Sequence, residues 1–341
     1  VQLCDRKPAY IVPQRASALD KALDPEVPKP RKPGYVSAPF VAVQQRVQLL
    51  YPELRKLGLE RHIADLAMHG YTIVPPELVA PAEHIAALRE AVLRVSQKRT
   101  GITPDWESGA THASQMHPLG QFMRYILWED PIFEPLLTNP VLLGLITYLV
   151  GFDALLSLYD AMLKGPGGRP LPLHNDNGDL TTPVYADQPQ SANINILLSD
   201  YDERSGPIAF LPGSHLFRRQ PTLAELRELG PEMVPVIAPA GSAVVWPANT
   251  WHVALPRIDQ GIRATLLLDF CRGHLQTQSP FRVDVPTSAL KRNPLRFAQL
   301  MHCYGAFPFR TEDIDQARTS KGAERHSLFD CDPLWKLFFN L

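Results

Sequence analysis

His174 and Asp176 stand one residue apart in PLPLHNDNGDL (170–180), directly behind the glycine- and proline-rich run GPGGRP (165–170). On a strand, residues i and i+2 share a face, so the imidazole and the carboxylate point the same way. The pair is either two metal ligands or a surface hydrogen bond, the latter in the form of a loop-edge aspartate bonded to nearby backbone. Further residues bear on the choice. His252 lies in NTWHVALP, Trp246 closes the apolar run before it, and Arg263 follows 11 positions after His252 in GIRATLLLDF. Two imidazoles and one carboxylate make the facial triad that holds non-haem Fe(II) and leaves adjacent coordination positions open. Those positions suit O2 and a bidentate co-substrate. An arginine on the following strand can grip a distal carboxylate of that co-substrate through two parallel hydrogen bonds. Taken singly, His252 reads as a strand-end histidine and Arg263 as an ordinary salt-bridge residue. The order HxD, distant His, then Arg is what makes the set specific.

Such a site needs strands to hold it. ALLSLYDAMLK, SANINILLSDY, GPIAFLPGS, EMVPVIAPAGSAVVWPA, TWHVALPRI and GIRATLLLDFCRG are short apolar or alternating runs bounded by Gly, Pro, Asn or Asp. Runs of this length and spacing predict an antiparallel sandwich or barrel. Upstream, VAVQQRVQLLYPELRKLGLERHIADLAMHG and PAEHIAALREAVLRVSQKR carry helical periodicity, with YTIVP (71–75) as a short strand between them and one or two more helices in DPIFEPLLTNPVLLGLITYLVG. The segment 100–130 reads as a helical cap, and PTLAELRELG (221–230) as a helix inserted between strands. Residues 1–39 form a proline-rich arm. Residues 40–341 read as a single domain, helical over 40–153, with a β-core over 154–275 and a C-terminal helical wrap over 276–341.

The bulk numbers fit that picture. The 341 residues are 45% hydrophobic and 20% charged, which suits a globular chain with a large core. Thirty-four basic against 35 acidic residues leave a net charge of −1, so no basic field is available for nucleic acid or an anionic membrane, and a small-molecule partner is expected. The apolar run VLLGLITYLVGF is too short to span a bilayer. Cys4, Cys271, Cys303 and Cys331 are scattered, with no CxxC pattern, and a reducing, cytoplasmic setting is the expectation. Oligomeric state is not written in the sequence.

HND (174–176), NINILLSDYDERSGPIAFLPGSH (193–215), GSAVVWPANTWH (241–252) and IRATLLLDF (262–270) together resemble the phytanoyl-CoA dioxygenase family of Fe(II)- and 2-oxoglutarate-dependent oxygenases. The resemblance covers roughly residues 150–275. It implies a mainly β fold, a double-stranded β-helix (jelly roll, cupin-like) flanked by helices. It implies Fe(II) on His174, Asp176 and His252, and 2-oxoglutarate with its C5 carboxylate on Arg263. The implied reaction consumes O2, converts the keto acid to succinate and CO2, and oxidises a C–H bond of a small metabolite. The carboxylate at Asp176 favours hydroxylation over halogenation.

Secondary assignments follow. Thr265 shares a face with Arg263 and adds a hydroxyl to the same carboxylate, or is a plain strand former. Asn193 and Asn195 replace an aromatic residue common in the family, and donate either to the C1 carboxylate or substrate or across strands. Lys164 ends the strand before the GPGG loop and reads as a solvated lysine, with reaching the pocket as the alternative. His215, in PGSH, reads as a structural turn residue rather than a ligand, and His112 and His117 as cavity-lining or surface histidines. Asp179 lies off the HxD face. The same residues also admit a cupin-type metal enzyme that does not use 2-oxoglutarate, or a ligand-binding jelly roll without catalysis. Arg263 argues against the first, and an intact set of buried polar groups against the second.

Overall fold

The computed structural model describes residues 50–109, 120–167, 170–177, 185–225 and 232–303. The proline-rich arm, His112, His117, Asp179 and the apolar C-terminal DPLWKLFFNL lie outside them.

The first described elements are helical. Helix α1 (Glu60–His69) stops at Gly70 in the left-handed conformation. A helical stretch over residues 50–56 precedes it, and Gly58, at φ 70°, separates the two. Strand β1 (Thr72–Val74) follows, then α2 (Pro76–Val79) and the long α3 (Ala82–Thr100). The 100–130 segment differs from the expected helical cap. It contains a strand, β2 (Gln121–Met123), that pairs with β3 at the sheet edge. Three-residue Phe122 patterning is too short to carry a strand signal by itself, and the pairing decides it. Two proline-led 3-10 turns precede α4 (Pro140–Val150). Asn139 caps α4 by accepting a hydrogen bond from the Leu142 amide at 2.9 Å, with proline in the first turn where its missing N–H costs nothing.

The β-core comprises β3 (Leu155–Lys164), β4 (Leu171–His174), β5 (Ser191–Leu197), β6 (Ile208–Phe210), β7 (Val234–Pro235), β8 (Ala243–Pro247), β9 (His252–Ala254) and β10 (Arg263–Cys271). They form two antiparallel sheets, ordered β1-β8-β5-β10-β3-β2 and β4-β9-β6-β7. This is the jelly-roll arrangement of a double-stranded β-helix. Residues 221–225 of the expected inserted helix form a turn, and the rest lies outside the described residues. Three short helices, α5 (Phe281–Asp284), α6 (Thr287–Arg292) and α7 (Leu295–Leu300), follow β10. No single helix among the described residues is long and apolar enough to cross a membrane.

The six-stranded sheet has two different faces. Ala264, Leu266, Leu268 and Phe270 of β10, with Ile194 and Ile196 of β5, join one large core with Leu88, Val92 and Val95 of α3 and the apolar side of α4. The alternate residues point between the sheets, where Leu197, Val244 and Trp246 pack against Ile208 and Phe210 of the smaller sheet. Period-two alternation therefore sends apolar side chains outward to the helices and leaves Arg263, Thr265, Leu267 and Asp269 facing inward. Leu266 is fully buried in the helix-facing core. Leu266→Ala is expected to cost about 2–5 kcal/mol, read as a lower urea midpoint at unchanged slope; an unchanged midpoint would remove the helices from the load on this sheet.

Candidate functional site

β4 ends on His174 and β9 begins on His252, and the two are opposed residues of an antiparallel pair. Their rings sit 4.2 Å apart, centroid to centroid. Asp176, two residues past His174, is turned inward because its amide donates to the Ala248 carbonyl at 2.8 Å. The Nε2 atoms of His174 and His252 each lie 3.6 Å from an Asp176 oxygen, the first from Oδ1 and the second from Oδ2. The three side chains offer donor atoms that all lie within 4.8 Å of one another, the one such cluster among the described residues.

The remaining contacts fit these donors to a metal. His174 Nδ1 is 2.8 Å from the Pro172 carbonyl, and His252 Nδ1 is 3.0 Å from the Thr250 carbonyl. A carbonyl only accepts, so each Nδ1 carries the proton and each Nε2 presents its lone pair. Burial, opposed by Asp176, pulls His252 down to about 4 and keeps that imidazole neutral. Asp176 Oδ2 accepts from Asn193 Nδ2 at 2.8 Å and from the Trp246 indole at 3.2 Å. Asn193 thus serves neither an inter-strand bond nor a free carboxylate here; it steadies the aspartate. Two imidazoles that present Nε2 to a carboxylate restrained at Oδ2 are a donor set for a divalent transition metal such as Fe(II).

A cavity of about 190 Å³ runs between the sheets, and its wall contains His174, Asp176, His252, Asn193, Asn195, Thr265 and Arg263. Phe122, Leu158, Met162, Leu171, Ile208 and Leu267 supply its apolar lining. Arg263 is buried, with its guanidinium carbon 5.2 Å from the centre of the Tyr201 ring. One guanidinium nitrogen donates to the Gly206 carbonyl, another lies 3.2 Å from the Met162 sulfur, and Nε is buried without a partner. The Thr265 and Tyr201 hydroxyls share a hydrogen bond of 2.5 Å. Asp269, the next inward polar residue on β10, is pushed up to about 8, chiefly by burial, with Ser157 and Gln278 as hydrogen-bonding neighbours. A larger groove of about 670 Å³ lies at α2 and the start of α3, but no metal-ligating cluster borders it.

One further sequence reading changes and one holds. Lys164 is fully buried rather than solvated, since β3 carries it to the inner face directly opposite Arg263. His215 is structural, as expected: its ring packs against Gly70 and its carbonyl accepts from Asn249. Tyr201, Met162 and Gly206 were not singled out. Gly206 lies inside the quoted SGPIAF run and is required there, because it takes φ 74° and a Cβ would sit 2.6 Å from the Arg257 amide nitrogen. Tyr201 and Met162 carry no local signal, since only strand pairing brings them to Arg263.

The family described as phytanoyl-CoA dioxygenase (PhyH) matches residues 66–265 of this chain. Dioxygenase af480 of Aspergillus fumigatus is 23% identical over 232 residues, covering 67% of this chain and 72% of that protein. HygX from Streptomyces hygroscopicus, solved with nickel and 2-oxoglutarate bound, superposes with a TM-score of 0.51 at 16% identity, over 64% of this chain and 88% of that one. EvdMO1 gives a TM-score of 0.51 at 22% identity, over 63% of this chain and 50% of that one. The two structural likenesses carry the fold. From the geometry, Asn193→Ala is expected to weaken Fe(II) binding about 10–100-fold, measured by anaerobic metal titration; unchanged affinity would show that Trp246 alone orients the carboxylate.

Proposed function

The chain belongs to the phytanoyl-CoA dioxygenase family, with Fe(II)/2-oxoglutarate oxygenase-type activity, and on that premise we propose that it hydroxylates an unactivated C–H bond of a small-molecule metabolite with release of succinate and CO2. The observation that carries this reading is one cavity bounded by both the His174–Asp176–His252 cluster and the buried Arg263. Bound iron with its keto-acid co-substrate supplies the oxidising power, taken from O2 and from decarboxylation of the keto acid.

The chain's own residues bind, orient and exclude. His174 and His252 present preset Nε2 lone pairs, and at His252 metal binding requires no proton loss near neutral pH. Asp176 offers Oδ1 while Asn193 and Trp246 occupy Oδ2. That division favours one-oxygen ligation and keeps neighbouring coordination positions open. Arg263 takes the C5 carboxylate of 2-oxoglutarate, and its unpartnered buried Nε is a donor in need of an acceptor. The linked Thr265 and Tyr201 hydroxyls lie beside that carboxylate, and Asn195 is available to the co-substrate's other end or to the substrate. The apolar lining keeps bulk water from the reacting centre. The substrate is a small or mid-sized polar-to-amphipathic metabolite. Its selection falls to the segments around 100–130 and 216–232, since loops on such scaffolds carry specificity.

The test adds Fe(II) and then 2-oxoglutarate to metal-free protein without oxygen and follows the visible charge-transfer band of the chelated keto acid. The band is expected in the parent, absent in Asp176→Ala and weakened at least tenfold in apparent affinity in Arg263→Ala. Iron binding without a band would move the site to chemistry that does not use 2-oxoglutarate. Failure of both to bind would make the protein a non-catalytic ligand-binding jelly roll.

A further inference from the structure

Lys164 ends β3 directly opposite Arg263, the first residue of β10. Opposed residues of an antiparallel pair share a face, so the lysine enters the space between the sheets beside the guanidinium. It is fully buried, and its Nζ donates to the Leu255 carbonyl at 2.5 Å. That uses one of its three donors. Arg263 leaves Nε buried and without a partner. Among the described residues no carboxylate forms an ion pair with either group; their polar partners are the Leu255 and Gly206 carbonyls and the Met162 sulfur. Two adjacent cations taken out of water without a counter-charge cost several kcal/mol in principle, roughly the effective penalty for each buried ion. Such an arrangement persists where an anion arrives to fill it.

Among the described residues the surroundings contain no rival anion. Across β10 lies Arg263, and in the segment after β9 lies Arg257, itself lowered by burial and by Arg263. On the β2 side the neighbours are Gly120 and the neutral Gln121. Asp202 and Asp259 act on Arg257, Asp259 is also ion-paired with Arg204, and Asp105 and Glu107, in the turn leading to Gly109, are exposed.

We propose that Lys164 is a second cationic partner for the distal carboxylate of the co-substrate, and that the charge on its amine makes co-substrate affinity depend on pH. This rests on the 2-oxoglutarate reading above. Burial first, and then repulsion from Arg263, pull the ammonium down to about 7 in the free site. The sign follows directly. Below that value the amine is already charged and the anion binds at full strength. Above it, binding must take up a proton, so affinity falls as pH rises, by about tenfold per pH unit at most. A keto acid without a distal carboxylate is indifferent to this proton.

The experiment measures 2-oxoglutarate and pyruvate binding to Fe(II)-loaded protein, without oxygen, by calorimetry from pH 6 to 8.5 in two buffers of different ionisation enthalpy. The ratio of the two affinities cancels any titration at the metal end. For the parent, the preference for 2-oxoglutarate is expected to fall about tenfold between pH 7 and 8.5, with up to one proton taken up per 2-oxoglutarate and none for pyruvate. Lys164→Met is expected to bind 2-oxoglutarate about tenfold more weakly at pH 6.5 and to lose the pH dependence of the ratio. Lys164→Arg is expected to keep tight binding across the range. A flat ratio with no proton uptake in the parent overturns the proposal without needing any variant, as does an unchanged profile in a folded Lys164→Met. If the parent binds neither keto acid, or binds both equally at every pH, the 2-oxoglutarate reading itself fails; if it prefers 2-oxoglutarate by the same factor at every pH, only the role of Lys164 fails.

Discussion

The alternation of β10 is the constraint on which the rest of the molecule depends. One side of the strand must be apolar enough to seat α3 and α4, because that contact buries most of the helices' core residues. The other side must accept a guanidinium, a hydroxyl and a carboxyl in the interior. A shift of one residue in the pairing of β10 with β3 and β5 would exchange the two sets, placing Arg263 under the helices and Leu266 in the cavity. The continuous register from Arg263↔Lys164 to Asp269↔Leu158 excludes that slip, because seven paired positions would have to fail together.

The cost of the inward polar face is met locally rather than spread through the core. Each histidine is fixed by a main-chain carbonyl two residues before it, Pro172 for His174 and Thr250 for His252. Asp176 is fixed at Oδ2 by the Asn193 side-chain amide and the Trp246 indole together. The histidine contacts are made by the segments that bear the ligands, and the aspartate contacts come from the facing sheet, from β5 and its neighbour β8. The triad is therefore ordered before any ion arrives, which reduces the reorganisation that binding would otherwise require.

The opposite end of the cavity is built differently. Arg263 leans on Tyr201 and on the Gly206 carbonyl, and Gly206 permits that approach because its backbone lies against the 255–257 segment where no Cβ fits. Positive charge accumulates here with only carbonyl and sulfur acceptors, while the metal end holds the carboxylate. The cavity is polarised along its length, and a dianionic ligand bridging a metal and a cationic seat is matched to that polarity.

Much of this was legible in the chain alone. The HxD spacing, the distant His252 and the arginine 11 positions later carried the candidate triad and its clamp, because ligand chemistry demands particular residue types and strand periodicity sets which of them share a face. The strand runs from 154 to 271 were readable for the same reason: their punctuation by Gly, Pro, Asn and Asp is local. Tertiary pairing decided what local signals could not carry. β2 is a strand because β3 offers it an edge, not because QFM is strand-like. Lys164 is buried because its register partner is Arg263, although a lysine at a strand end beside a Gly-Pro loop looks solvated. Asn193 became the support of Asp176, and Tyr201 the platform under Arg263, through contacts spanning 17 and 62 residues of sequence. Residue type and period are written along the chain, whereas burial and partnership depend on which distant segments the two sheets bring face to face.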